Sequence, residues 1–523
     1  MSGQTRRDLL KFAGLGALGS SFDPAWALRG FGRGSGVAER PNLLFIMTDQ
    51  QRWDTLSCAG NSLIATPNID RLAKSGVRFS EMTCSSPVCG PSRAAVLSGR
   101  LFRGHGCEGS VRQFDDRMPG MSPEVETFDE ALHGAGYRTE YIGKWHTGIG
   151  HQEVYETGLR THFLESYRAE MLEKYPDATE LGDGLALDTY SGLAYRTYPL
   201  QEMMRAGGKR HKGKVEKPKI HHGSEAGWSA IPEEDSLTAW TVKRAIDFLE
   251  RKHEQPFALT CSILHPHSPL VTNGKYIDLV DPAKVPMPRN VFDDENTGQF
   301  GVPGLVPLEP NGLGRFIAQY MALISEIDVW VGRLLDTLDR QGLRENTLIV
   351  FTSDHGELMG SHGQVGKSRC FEEAIRVPLI LSLPGTLPAG AIRTESVSGV
   401  DLAPTVLDYC GVTSAERRFD GLSMRAAIDG GDFERKHSPL ELNREGMRMR
   451  GMRSSEWKLS ISERYGQRLY DLQADPLELT NLIAPKAAER TKYLGVAKGL
   501  HEDLSEYFAG HDDFLLGELP SLD

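Results

Sequence analysis

Asn42-Leu43-Leu44-Phe45-Ile46-Met47-Thr48-Asp49-Gln50 sets the fold class of this chain. An unbroken apolar run that passes abruptly into polar residues, with no polar alternation, reads as a strand buried on both faces, the kind found in parallel sheets. The pattern recurs. Arg138 to Ile142 leads into Gly143-Lys144-Trp145-His146, Phe257 to Leu264 into His265-Pro266-His267, and Thr347 to Thr352 into Ser353-Asp354-His355-Gly356. Helical patterns lie between these runs: Pro67 to Ser75, Ser92 to Leu97, Ser236 to Lys252 and Gly314 to Gln341. Strands alternating with helices predict an α/β fold, a mainly parallel sheet covered by helices. Ligands of such sheets sit beyond the carboxyl ends of the strands. All four polar clusters fall there, which makes them candidates for one shared site.

The chain has 523 residues, 25% of them charged and 39% hydrophobic, with a formal net charge of −12. That balance excludes a disordered tail and a membrane transporter, and the length suffices for a large core. An acidic protein lacks the cationic face that nucleic acid requires, so no nucleic-acid partner is expected. Seven cysteines are too few for a disulfide scaffold, and an odd number leaves at least one unpaired. At the N-terminus, Thr5-Arg6-Arg7-Asp8-Leu9-Leu10-Lys11-Phe12 is a twin-arginine pattern, followed by an apolar stretch from Phe12 to Phe22 and a small-x-small site at Ala25-Trp26-Ala27. The stretch is too short to span a bilayer, and no later segment comes near the required length. Residues 1–27 are therefore expected to be a signal peptide read by the twin-arginine translocase. The mature protein would begin near Leu28 and be periplasmic or secreted. Residues 40–430 form the α/β domain on this reading. Beyond them Met447 to Arg453, Trp457 to Ser462 and Arg468 to Asp471 read as short antiparallel strands, and Ala487 to Phe508 as a helix. Residues 431–523 are thus expected to form a smaller C-terminal α+β domain.

Cys89-Gly90-Pro91-Ser92-Arg93 is the most specific chemical signal. Pro91 suits the first turn of a helix running to about Ser98, with Gly99 as its stop. Cys89 then sits at a helix N-terminus, which favours an anion, and Arg93 returns four residues later to the same face. A low-pKa thiol beside an arginine satisfies the same residues. Asp49 and Asp354 each follow a strand. Each could be an ordinary turn residue, but two acids converging on one crevice suit a hard divalent cation. Asp401, ahead of Pro404, reads as the start of a helix.

Cys-x-Pro-Ser-Arg followed by Ala-Ala-Val-Leu-Ser-Gly-Arg100 resembles the signature of the type I sulfatases, formylglycine-dependent members of the alkaline phosphatase superfamily. The resemblance runs from Pro41 to about Leu482. It takes in Pro41 to Gln50, Thr66-Pro-Asn-Ile-Asp70, Gly143-Lys-Trp-His146, Pro266-His-Ser-Pro269, Ser353-Asp-His-Gly-Glu357, Gly366-Lys367, Arg376-Val-Pro378 and Asp401-Leu-Ala-Pro-Thr405. It implies an alkaline-phosphatase-like fold and a sulfuric ester hydrolase, with a sulfated carbohydrate as the expected substrate. It also implies that Cys89 is oxidised to Cα-formylglycine by a maturase before folding. One hydroxyl of the hydrated aldehyde would attack sulfur and form a covalent intermediate. Deprotonation of the second, supported by His146, would then expel sulfate.

By the same resemblance Asp49, Gln50, Asp354 and His355, with residue 89, match the metal positions, implying Ca2+ first and Mn2+ or Mg2+ as alternatives. Arg93, Lys144 and Lys367 match the cationic positions, and His267 the residue that protonates the leaving oxygen. Two departures stand out. Gln50 occupies a position where many members carry a second Asp, and His355 one where many carry Asn. Both pairs also occur in the phosphonate and phosphate ester hydrolases of the superfamily, which is one alternative activity. Gly143-Lys144-Trp145-His146 resembles the sulfatase branch. A non-catalytic glycan-binding protein with Cys89 unconverted is the other alternative.

Lys209, Arg210, Lys212, Lys214, Lys217 and Lys219 form a basic cluster on an acidic chain. It reads either as a cationic rim that captures a sulfated polysaccharide or as a solvated loop. If it is a rim, neutralising Lys209, Arg210, Lys212 and Lys214 together lowers kcat/KM on long substrates, and added salt shrinks the loss. Turnover of a small aryl sulfate stays unchanged. Equal loss on both substrates contradicts steering.

Overall fold

A computed structural model describes residues 40–109, 120–148, 151, 154–157, 163–179, 185–187, 194–197, 226–229, 231–291, 310–412, 417–443, 448–463 and 466–509. The export segment 1–27 and the basic cluster 209–219 lie outside the described residues. The large sheet is built from β1 (Asn42–Thr48), β2 (Val77–Phe79), β3 (Arg138–Gly143), β4 (Phe257–Ser262), β5 (Thr347–Ser353), β6 (Leu379–Ser382) and β7 (Ala391–Arg393), in the order β7-β2-β6-β5-β1-β4-β3. The four strands expected from their apolar runs, β3, β4, β1 and β5, are contiguous and mutually parallel. Beyond β5 the sheet turns mixed, because β6 runs antiparallel to both β5 and β2.

The lack of alternation in β1 has a direct cause. Leu43, Phe45 and Met47 enter a core on one face, while Leu44 and Ile46 enter another on the opposite face. The first core is closed by helices Cys89–Ser98, Phe128–Gly134 and Leu402–Tyr409, through Val96, Phe128, Leu132 and Val406. The second is closed by Pro67–Lys74, Leu237–Leu249 and Pro310–Arg340, through Ile69, Leu72, Val242, Ile327 and Val331. Each helix thus shields one apolar face of the sheet. No helix among the described residues is long and apolar enough to cross a membrane. Asp401 does structural work: its carboxylate accepts the N–H groups of Ser398 and Leu422, each at 2.8 Å, and pairs with Arg435 at 2.7 Å.

Four more strands, β8 (Ser438–Leu442), β9 (Met449–Arg453), β10 (Trp457–Ser462) and β11 (Gly466–Asp471), form an antiparallel sheet backed by helix Arg490–Ala509. Buried ions tie this sheet to the short helix Glu372–Ile375. Glu372 accepts from Arg453 of β9 at 2.7 Å and from Lys458 of β10 at 3.2 Å. Arg453 also reaches Glu81, and Lys458 reaches Glu478. Burial pushes the Glu372 carboxyl up, but Arg453, Lys458 and Arg376 outweigh it and hold the group well below the usual carboxylate range. A depressed folded-state pKa adds stability that is complete above the ordinary carboxylate pKa and lost as pH falls below it. Glu372→Gln is therefore expected to cost about 3 kcal/mol at neutral pH. In urea titrations the gap from the parent should narrow as pH drops below the ordinary carboxylate value of 4.5. A gap that does not vary with pH contradicts this assignment.

Candidate active site

Parallel pairing places Thr48 of β1 opposite Ser353 of β5, so Asp49 and Asp354 leave adjacent strands side by side. Both are fully buried. The next residue, Gln50, takes a left-handed φ of 71°, and its N–H donates to Asp354 Oδ1 at 3.0 Å. The same oxygen accepts the N–H of His355 at 2.8 Å. On the other flank of β1, β4 delivers His267 and β3 delivers Lys144 and His146. Gly143 makes the β3 exit workable: at φ 105°, a Cβ there would lie 2.0 Å from the Ser262 carbonyl oxygen.

The helix carrying the cysteine spans Cys89–Ser98, so Cys89 is its first residue, and ends on Gly99 at φ 68°. Pro91 still lies in the first turn, where its missing N–H breaks no helical bond. Cys89 is buried, with its Sγ 3.1 Å from His355 Nε2, 3.1 Å from Lys367 Nζ and 3.8 Å from Asp49 Oδ1. Burial pushes the thiol up, yet Lys144, Lys367, His355 and a hydrogen bond with His146 together hold it well below its ordinary range. His146 sits at φ 65°, and its Nδ1 has no hydrogen-bond partner among the described residues.

Arg93 is sealed from solvent, and the structure directs its guanidinium onto the carboxylates. Nε donates to Asp354 Oδ2 at 2.8 Å, Nη2 to Asp49 Oδ2 at 3.0 Å, and Nη1 to the Lys144 carbonyl and Ser262 Oγ, each at 2.7 Å. Lys144 Nζ pairs with Asp49 Oδ2 at 2.6 Å. Lys367 Nζ donates to Gln50 Oε1 at 2.5 Å. His267 Nε2 lies 4.0 Å from Asp49 Oδ1, and its side chain is 23% exposed, more open than those of its neighbours Asp49, Lys144 and Lys367. His265 is held inside by Thr238 at 2.8 Å, a structural role.

The donor chemistry suits a hard cation. Ligating atoms of Asp49, Cys89, Asp354 and His355 lie within 4.8 Å of one another, all buried, and Gln50 Oε1 turns toward the same point through Lys367. Burial, then the like charge of Asp49, pushes the Asp354 carboxyl up to about 6, despite His355 and Arg93. A divalent ion between the carboxylates removes that conflict. Among the described residues one other buried group offers ligand atoms at similar spacing: His362, Glu373 and Glu478. There the Lys458 ammonium lies 2.5 Å from Glu478.

The ten residues matched to metal and catalytic positions by resemblance thus converge on one crevice. Two further members were not singled out. Ser262, the last residue of β4, accepts from Arg93, and the Ser92 hydroxyl donates to the Asp354 carbonyl. Ser92 stands inside the Cys-x-Pro-Ser-Arg signature, which was the available signal, whereas Ser262 carries none. Removing Arg93 leaves two carboxylates buried without their shared counter-charge, so Arg93→Ala should cost about 3–5 kcal/mol of stability. Arg93→Lys should recover little of it, because one ammonium cannot span both acids as the guanidinium fork does. Denaturant titration of both variants checks this, and near-parental stability of Arg93→Lys contradicts it.

Residues 41–412 match the family model described as Sulfatase, and residues 360–509 the one described as N-sulphoglucosamine sulphohydrolase, C-terminal. An arylsulfatase of Clostridium perfringens is 30% identical, across 87% of this chain and 93% of its own. An N-acetylglucosamine-6-O-sulfatase of Bacteroides thetaiotaomicron is 25% identical, across 90% and 87% respectively. Among solved structures, a phosphonate monoester hydrolase of Agrobacterium radiobacter superposes with a TM-score of 0.70 at 23% identity, covering 90% of this chain and 96% of that one. At that identity the likeness establishes the alkaline-phosphatase-like fold. The family match spans most of the chain, from β1 through the end of helix Leu402–Tyr409, and with it this protein belongs to the sulfatase family.

Proposed function

We propose that this sulfatase hydrolyses sulfate esters of carbohydrates at residue 89, with the roles assigned below. The observation that carries the reading is the convergence of His355, Lys367, Asp49 and His146 on the Cys89 sulfur. That sulfur marks where the oxygens of formylglycine would stand. Once hydrated, formylglycine supplies two hydroxyls on one carbon, one to take the sulfuryl group and one to release it without attack of water at sulfur. A divalent ion held by Asp49, Gln50, Asp354 and His355 supplies Lewis-acid stabilisation of negative charge. The oxygen-rich donor set favours Ca2+, and the imidazole and amide keep Mn2+ and Mg2+ in contention.

The chain's own residues do the rest. Arg93 holds the two carboxylates in place rather than meeting substrate. Lys144 and Lys367 are fixed cations near residue 89, suited to stabilise the charge that develops on the sulfuryl oxygens. His146 is bonded to residue 89 and receives a proton there. His267 sits at the open side, where the leaving alcohol oxygen would lie. Burial, Lys367 and Lys144 push it down to about 4, so it is neutral before substrate arrives. An incoming sulfate offsets those cations and raises it, which suits a proton donor.

The N-acetylglucosamine-6-O-sulfatase relative supports a sulfated sugar as substrate. The export motif in residues 1–27 supports a periplasmic or secreted location, and a maturase must convert Cys89 beforehand. Gln50 and His355 favour a second, weaker activity on phosphonate monoesters. Cys89→Ala is expected to lower aryl sulfate turnover by on the order of a thousandfold or more while the fold persists. The wild-type peptide containing Cys89 should carry an aldehyde in place of the thiol. Faster turnover of an aryl phosphonate monoester than of the aryl sulfate contradicts the sulfate assignment.

A further inference from the structure

Gln50 is held at three points of its backbone: φ is 71°, its N–H donates to Asp354, and its carbonyl accepts the Tyr320 hydroxyl at 2.6 Å. Its carboxamide remains, and a carboxamide has two unlike ends. One donates and the other accepts, and their shapes are nearly the same. Packing alone therefore does not decide which end faces the site.

Glu357 decides it. This buried carboxylate accepts from Gln50 Nε2 through one oxygen, and through the other from the N–H groups of Gly366 and of Met359, the latter at 3.2 Å. With both oxygens accepting, Glu357 meets the NH2 end of Gln50 and leaves Oε1 turned to Lys367 Nζ at 2.5 Å. The same carboxylate grips Gly366, the residue before Lys367. Gln50 and Lys367 come from segments more than 300 positions apart, and Glu357 orders both.

We infer that Glu357 is a positioning residue: it fixes the Gln50 amide so that its oxygen, not its nitrogen, faces the ion site, and it sets the loop that presents Lys367. This rests on the metal reading above. With Glu357→Gln, residue 357 can offer either a donor or an acceptor, so Gln50 can turn its NH2 group toward Lys367 and the cation. Partners that orient metal ligands are worth about 10–100-fold in affinity or activity.

The test uses the full chain, stripped with chelator and titrated with Ca2+ by calorimetry, as four proteins: parent, Glu357→Gln, Gln50→Glu and the double variant. Glu357→Gln is expected to weaken Ca2+ binding about 10–100-fold. In the parent background Gln50→Glu sets two carboxylates against each other. In the Glu357→Gln background the new carboxylate meets an NH2 donor. The double variant should therefore bind Ca2+ more tightly than the product of the two single effects, by about tenfold. Its melting temperature should also exceed that of Gln50→Glu alone. Unchanged binding by Glu357→Gln, or single effects that multiply to within about twofold, overturns the inference. A parent that binds no divalent ion overturns it together with the metal reading, whereas a parent that binds Ca2+ no better than Glu357→Gln overturns the inference alone.

Discussion

Asp49 and Asp354 are two buried acids brought level by the parallel register of neighbouring strands; Arg93 bridges both, and Lys144 adds a second cation on Asp49. Burying each carboxylate costs several kcal/mol unless it is paired and hydrogen-bonded. The guanidinium meets that demand with one donor to each acid and two more to the Lys144 carbonyl and Ser262. Pinning Arg93 also pins the helix that carries it. Cys89 lies one turn earlier on the same face, so its sulfur arrives 3.8 Å from Asp49 as a consequence. The position of Cys89 and the candidate ion site thus both depend on this contact between a helix and two strand ends.

The remaining groups are hung on that frame from both directions. β3 and β4 bring Lys144, His146 and His267 from one flank of β1. From the other flank the loop after β5 brings His355 and, further on, Lys367. Glu357 spans the base of that loop. Its far end runs into Glu372, whose carboxylate is locked to Arg453 and Lys458 of the antiparallel sheet. The C-terminal sheet thereby stabilises the segment that ends the active-site loop, without supplying any of the groups that gather at Cys89.

The parallel half of the large sheet was legible in the sequence because its strands are buried on both faces, and such strands read as continuous apolar runs. Strands β2, β6 and β7 were not singled out: β2 and β7 have only three residues each, and β7 has an exposed centre at Ile392. Strand β8 was missed because Ser438-Pro-Leu-Glu-Leu442 carries a proline and a charge. At the site, residue types and motif order pointed to the acids, bases and cations that gather around Cys89 among the described residues. They did not reveal that Arg93 faces the carboxylates, because helical spacing places a side chain on a face but not its terminal donors on a partner. Nor could they find Ser262, an ordinary strand-end serine whose value comes from its bonds to the guanidinium and to the Lys144 carbonyl.

Anomalous diffraction from a crystal of the full chain soaked with Mn2+ tests the central claim most directly. One peak is expected among Asp49, Gln50, Asp354 and His355, next to residue 89. Its absence there, or a peak confined to the His362, Glu373 and Glu478 group, would contradict the account of how these buried carboxylates are used.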